Sequence, residues 1–359
     1  MRLFYDDHFI YLYDVPTKDK SLMELFHNAV WSKAKRRWRL PKTHWVCSDL
    51  WKTFPELRND PEFVQLGIRC KEEFDRLIQL RKIQVESFDG LRPYQAEDVA
   101  ILEQLEAGGI FNEPRTGKTP TAIVLMKRIG GAKNLVVSPA SLVLNWTREI
   151  EKWWSEATVY DYKTQYRDFI YAKSPAVLVI SKNMLAREKG NFDNVSFDTM
   201  IVDEAHFLRN TNTAQSKAVN QVGRSARRRY ILTGTPTINH AADAVPLLQF
   251  LYPKQYPSYW QTVERYFQTY TVEYKKAPEL GAPKKHREQE FQAIIGSISV
   301  QRKRTEVMPW LPKKQYKELT CKMSGKQAKL YKQMRDEFVA SATELPKVVD
   351  GDLNKVAAM

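Results

Sequence analysis

Residues 110–121 read Ile110-Phe111-Asn112-Glu113-Pro114-Arg115-Thr116-Gly117-Lys118-Thr119-Pro120-Thr121, and the fold of the chain turns on them. An apolar pair closes a strand, a tight turn follows, and Gly117-Lys118-Thr119 opens a helix-compatible run. This is the phosphate-binding half of a P-loop. Gly117 lets the backbone approach a polyphosphate, and the N–H groups of the next helix point at it. Lys118 would reach the β/γ-phosphates, and Thr119 would place its hydroxyl on Mg²⁺. The usual glycine five residues before Gly117 is replaced by Asn112. A bare Gly-Lys-Thr also arises by chance, so the stretch needs support from elsewhere.

That support comes from Asp203-Glu204-Ala205-His206, 85 residues beyond Lys118 and directly after Met200-Ile201-Val202. An aspartate at a strand end can hold Mg²⁺ through water, and the glutamate beside it can polarise an attacking water. Leu232-Thr233-Gly234-Thr235-Pro236 adds two hydroxyls beside a glycine turn, placed to sense a γ-phosphate. An ordinary strand-ending turn reads the same way in isolation. Short apolar runs (110–111, 135–137, 177–180, 200–202, 230–232) alternate with helical lengths. That pattern predicts a parallel sheet buried on both faces, with ligands at the carboxyl ends of its strands.

The 359 residues leave room for two or three domains. The spacing suggests a small α+β module over 1–85, an ATPase lobe over 86–250, and a helical extension over 251–359. Residues 71–85 read as a polar helix, 275–287 as an exposed loop and 320–341 as a charged helix. Within the first module, residues 1–13 read as a hairpin around Asp6-Asp7. The run 33–42 then holds six basic residues and no acidic one, with Trp31 and Trp38 beside and within it. Arg36, Arg37 and Trp38 are candidates for phosphate neutralisation and base stacking. The alternative is a solvated face with both indoles in a small core.

Fifty-six basic against forty-two acidic residues leave a formal charge of +14. Nucleic acid, an acidic membrane surface and plain solubility all fit that charge. Three widely separated cysteines offer neither a disulfide framework nor a zinc cluster. With no long apolar run or signal-peptide pattern, a reducing intracellular compartment and no membrane partner are expected.

Taken together, these stretches resemble the Swi/Snf-like branch of superfamily-two helicases and translocases. Leu91-Arg92-Pro93-Tyr94-Gln95 is similar to its Q motif, residues 111–119 to motif I, and residues 136–146 to motif Ia. Val179-Ile180-Ser181-Lys182 sits at motif Ib, residues 203–210 at motif II, and residues 232–239 at motif III. Further matches run through 247–253, 259–267, 302–307, 311–313 and 327–331. In that family the residue replaced by Asn112 is commonly not glycine.

The resemblance implies an α/β fold, a RecA-like P-loop domain whose mainly parallel sheet is flanked by helices. It implies ATP and Mg²⁺ as cofactors and a DNA-dependent ATPase. Lys118, Asp203 and Glu204 would be catalytic, with Thr119 and Asp203 on the metal. Arg92, Gln95, Gly117, Lys118, Thr119 and Pro120 would bind the nucleotide, the glutamine reading adenine. Ser138, Ser141 and Lys182 would touch DNA, and Thr233 and Thr235 would couple hydrolysis to motion. The Trp–basic–Trp–Arg–Leu–Pro run resembles the HARP-type module of annealing helicases. It implies forked or branched DNA, fork remodelling or branch migration, and a phage-encoded protein in a bacterial cytoplasm. Motion on duplex DNA without strand separation, and a non-catalytic DNA-binding module, are the alternatives. The chain is expected to be monomeric, to need a second RecA-like lobe, and to hydrolyse little by itself.

Overall fold

The computed structural model describes all residues except 17, 18, 25, 27, 28, 174, 238, 239, 271–277, 313–319 and 338–359. Two compact units result, Met1–Pro309 and Trp310–Met359.

The first unit begins with β1 (Arg2–Tyr5) and β2 (Phe9–Tyr13), the hairpin expected from the sequence. Asp6 stabilises its turn: Oδ1 accepts from the amides of His8 and Phe9, and Oδ2 from the Tyr11 hydroxyl at 2.6 Å. After α1 (Lys20–Glu24), β3 (Val30–Ser32) and β4 (Arg37–Pro41) complete an antiparallel sheet of order β1-β2-β4-β3. The two-residue period sends Ile10, Leu12, Trp38 and Leu40 into a core with Leu50, Phe54, Phe63 and Leu66. The last four come from α2 (His44–Thr53), a 3₁₀ turn and α3 (Pro61–Leu80). Here the reading of a helix over 71–85 is corrected. Asp60 caps the amides of Glu62 and Phe63, and Pro61 suits the first turn, so the helix starts ten residues earlier than expected.

The larger sheet follows. Its elements are α4 (Pro93–Leu102), β5 (Ala107–Ile110), α5 (Lys118–Ile129), β6 (Lys133–Ser138), α6 (Val143–Trp153), β7 (Thr158–Asp161) and α7 (Tyr162–Ile170). Then come β8 (Ala176–Ser181), α8 (Lys182–Glu188), β9 (Phe197–Val202), α9 (Ala214–Gly223), β10 (Ala226–Leu232) and α10 (Val245–Leu251). Side-chain caps from Asp161, Ser181 and Thr213 start α7, α8 and α9. The central strands β6, β8 and β9 are largely apolar and almost wholly buried, which is why the sheet carries a separate apolar core on each face.

Past residue 251 the structure departs from an all-helical extension. After α11 (Tyr259–Tyr266), β11 (Phe267–Tyr270) pairs antiparallel with β12 (Glu279–Pro283). Of residues 275–287, expected as loop, 275–277 lie outside the described residues, and 279–287 hold that strand and the start of α12 (Lys285–Ser297). β13 (Ser299–Val300) then returns to the large sheet beside β5. The order is β13-β5-β10-β9-β6-β8-β7, and every pairing is parallel. Two residues of strand inside a polar, helix-rich context carry no periodic signal, which is why they escaped notice. The short α13 (Arg304–Val307) follows.

α12 also anchors the amino-terminal part. Asp49 on α2 accepts from Arg265 at 2.8 Å and from Arg287 at 3.1 Å, and both arginines also bond the buried Glu290. In the second unit, α14 (Gly325–Glu337) lies within the charged helix expected over 320–341, of which 338–341 fall outside the described residues.

Candidate active site

The loop between β5 and α5 is built by interlocking backbone contacts. Gly117 adopts φ +79°, a left-handed conformation that a side chain disfavours. A Cβ there would also lie 2.2 Å from Nε2 of Gln95. That nitrogen donates to the carbonyls of Thr116 and Gly117, at 3.1 and 3.3 Å, while the Tyr94 hydroxyl donates to Thr116 at 2.8 Å. Oε1 of Gln95 accepts from the Arg92 amide. The glutamine expected to read adenine therefore has its amide committed to shaping the phosphate loop. Arg92 is exposed at the start of α4, and Pro120 packs in the first turn of α5 beside Gly117. Lys118 Nζ donates to the carbonyls of Asn112 and Glu113, at 3.0 and 3.4 Å. Burial pulls its pKa down, while Glu204 and Asp203 pull it back up.

Those acids follow β9, and β10 runs between β9 and β5. Asp203 is 7% exposed. Its Oδ2 accepts from the indole of Trp146 and its Oδ1 from the amide of Glu204, both at 2.8 Å. Burial raises its pKa, with both donors opposing the rise. Glu204 sits at φ +48°, and its half-buried carboxylate lies 3.2 Å from Nδ1 of His206. From the end of β10, Gly234 abuts Pro114 and lies within 3.6 Å (by its would-be Cβ) of Lys118 Nζ. Thr233 is buried, its Oγ1 accepting from the amide of exposed Thr235 at 3.1 Å. Ile238 and Asn239, the end of the motif III match, lie outside the described residues.

Against this geometry, the SNF2-related domain family matches residues 46–356. The chain belongs to that family. Three relatives are similar to this SNF2-related domain. DNA repair and recombination protein RAD54B of Gallus gallus is 27% identical over 283 residues, 71% of this chain and 30% of that protein. The SWI/SNF-related matrix-associated actin-dependent regulator of chromatin subfamily A containing DEAD/H box 1 of Mus musculus is 29% identical over 276 residues, covering 72% and 26%. Protein CHROMATIN REMODELING 19 of Arabidopsis thaliana is 30% identical over 297 residues, covering 74% and 37%. The match therefore spans between 26% and 37% of each relative's length. Among solved structures, the Sulfolobus solfataricus SWI2/SNF2 ATPase core in complex with dsDNA aligns with a TM-score of 0.50 at 22% identity. It covers 62% of this chain and 47% of that one. The likeness, with the all-parallel sheet, establishes the RecA-like fold.

The chain places its expected DNA-contact residues unevenly, those of the SNF2-related domain at the carboxyl end of the large sheet and Arg36, Arg37 and Trp38 ahead of it. Ser141 is exposed in the turn before α6, and Lys182 opens α8 with Nζ 4.5 Å from the Phe207 ring centroid. Both lie beyond the carboxyl ends of β6 and β8, which pair in register at Ser138 and Ser181. Ser138 itself is fully buried, its hydroxyl donating to the Pro139 carbonyl, so it has no surface for a phosphate. Trp38 is corrected too. It is 9% exposed, packed in the amino-terminal core 5.4 Å from Trp31, which removes the ring face that stacking requires. Trp31, 39% exposed, carries the accessible indole. Arg36 stands at the hairpin tip with φ +47°, and the Arg37 guanidinium lies 3.7 Å from the Tyr11 ring centroid while donating to the Tyr13 hydroxyl.

Two residues of the SNF2-related domain were missed from sequence. Trp146 falls in a stretch read as DNA-facing, yet it aims Asp203. Asp98 looks like one acid among many on α4, yet it is fully buried beneath the phosphate loop. Its position on the apolar face of α4, beside Val99 and Leu102, was the available signal.

Proposed function

We propose that this chain carries the nucleotide-binding part of an ATP-driven motor that moves along DNA. The convergence of Lys118, Asp203, Glu204 and Gly234 from the ends of three adjacent strands supports this reading most strongly. Gly117 and the first amides of α5 would hold the polyphosphate, and Lys118 would exchange its two carbonyl partners for phosphate oxygens. Thr119 and Asp203 would hold Mg²⁺, Asp203 through water, and Glu204 would orient the attacking water and accept its proton. The donor set fits. Magnesium needs one or two protein oxygens beside phosphate and water, and Asp203 is aimed by two donors. Once bound, the ion neutralises charge that develops on the phosphate oxygens. Turnover also needs positive charge from across the nucleotide, which the family resemblance assigns to a second RecA-like lobe.

DNA as the track is supported by the +14 charge, by Ser141 and Lys182 at the same end of the sheet, and by the names of the relatives, which speak of DNA repair and chromatin. The structural neighbour was solved in complex with dsDNA, which supports a duplex as one substrate. The basic hairpin tip at residues 33–37 favours an added preference for forks or branches. Phosphate release, measured with duplex, fork and single-stranded DNA of equal length, tests the reading. Glu204→Gln should bind ATP without turnover, and Lys118→Ala should lose binding. A chain whose DNA binding is intact while neither substitution changes any nucleotide readout would be a DNA-binding module instead.

A further inference from the structure

A single segment, residues 298–304, is bonded to the end of β5, to the first residues of the phosphate loop and to α4. The amides of Gly109, Phe111 and Glu113 donate in turn to the carbonyls of Ile298, Val300 and Arg302, at 2.9, 2.8 and 3.0 Å. The parallel pairing thus runs beyond β13 and into the loop itself. Side chains extend it. The Arg304 amide and Nε donate to the Glu113 carboxylate at 2.9 and 3.3 Å. The Arg302 guanidinium divides its donors between two acids of α4, Nε to Asp98 and Nη2 to Glu97, both at 2.9 Å.

Asp98 passes the connection on. Its second oxygen accepts from Nδ2 of Asn112 at 2.7 Å, and Asp98 and Asn112 are both fully buried. Asn112 is the residue standing where a P-loop usually has glycine. Its own carbonyl accepts from Lys118 at 3.0 Å. Glycine could not be held this way, because it has no side chain for Asp98 to grip. The side chain fixes the loop on one side while the backbone carbonyl of the same residue holds the lysine on the other. A buried, charge-assisted contact of this kind is stronger than a surface pair and fixes geometry closely.

We infer that Arg302 is a positioning residue of the nucleotide site, acting through Asp98 and Asn112 on Lys118. The loop carrying the lysine is thereby tied to the chain segment that leaves the sheet at β13. A change at residues 300–304 alters phosphate binding, and phosphate binding is felt at residues 300–304. This rests on the ATP-binding reading above.

The test uses this chain with Mg-ATP, reported by a fluorescent ATP analogue, together with amide hydrogen exchange over 111–117 and thermal melting. Arg302→Ala should speed exchange at those amides selectively and weaken Mg-ATP about tenfold, the scale of a displaced binding group. Arg302→Lys should not restore either, because one ammonium cannot copy the planar fork that spans two acids. Asn112→Ala should reproduce the loss, and the double variant should be no worse than the stronger single one. Arg302→Gln, which keeps the stem and a planar amide, serves where the alanine variant fails to fold. Lower melting with unchanged exchange over 111–117, or additive losses in the double variant, would overturn the inference and leave a structural ion pair. If Lys118→Ala binds Mg-ATP as tightly as the unaltered chain, the ATP-site reading itself fails. The exchange pattern then still decides whether Arg302 holds the loop.

Discussion

The indole nitrogen of Trp146 donates to Oδ2 of Asp203 across 2.8 Å, linking α6 to the end of β9. With the Glu204 amide on the other oxygen, the carboxylate is held from both sides and cannot rotate freely. Trp146→Phe keeps a ring but removes the donor. A buried acceptor left short of a partner costs about 1–3 kcal/mol. The variant should melt at a lower temperature and need more magnesium for ATP binding, as read by magnesium titration at fixed ATP. An unchanged magnesium requirement would assign Trp146 to packing alone.

Gly117 and Gln95 form a second testable pair. Gly117→Ala faces a left-handed φ, worth about 1–2 kcal/mol, and a clash with Gln95 Nε2. The variant should lose nucleotide binding and stability together. Adding Gln95→Ala removes the clash together with the bonds that Gln95 makes to the Arg92 amide and to the Thr116 and Gly117 carbonyls. The two losses of stability should therefore be less than additive, and none of the binding should return. A double-mutant cycle on melting curves measures this. Strict additivity would mean the clash relaxes without cost.

Asp98 predicts a pH dependence. Burial pushes its pKa up from 3.8 to about 6, against the pull of Arg302 and Asn112, with Glu97 adding to the rise. Between those pH values the folded chain keeps a proton that the unfolded chain has released. Stability from this group therefore falls as pH rises through the window, by about 3 kcal/mol in all. Asp98→Asn removes that contribution. The difference in unfolding free energy between variant and wild type should shift toward the variant by this order between pH 4 and pH 7, because the other titrating groups are common to both. A difference independent of pH would show that pairing with Arg302 keeps Asp98 ionised throughout.

These residues also mark what could be read from sequence. The centre of the sheet was legible because strands buried on both faces are short apolar runs, and Asp203 and Thr233 directly follow β9 and β10. The outer strands β7 and β13 were not, being short and without such a run. The loop chemistry was legible because phosphate binding requires specific residue types at fixed spacing. The tertiary partners were not. Asp98 and Arg302 are 204 residues apart and meet only because two residues of β13 rejoin the sheet beside β5. Trp38 illustrates the opposite error. A tryptophan among arginines reads as a stacking platform, but the strand's two-residue period sends it inward and its arginine neighbours outward.

That division of labour at the hairpin separates stability from DNA binding. Trp38→Ala deletes a large core side chain and should destabilise the amino-terminal sheet by about 3–5 kcal/mol. It should leave the salt dependence of DNA affinity unchanged in whatever fraction stays folded. Replacing Lys33, Lys35 and Arg36 with alanine should do the reverse. All three are exposed at the tip, so melting should scarcely move. Each lost phosphate contact lowers the slope of log affinity against log salt by about 1. Measured on fork and duplex DNA at several salt concentrations, the triple variant should lose slope on both. A loss of affinity confined to forks would identify the tip as a structure reader as well as a phosphate contact. Unchanged slopes on every DNA would remove the tip from the interface and leave the contacts to the sheet edge at Ser141 and Lys182.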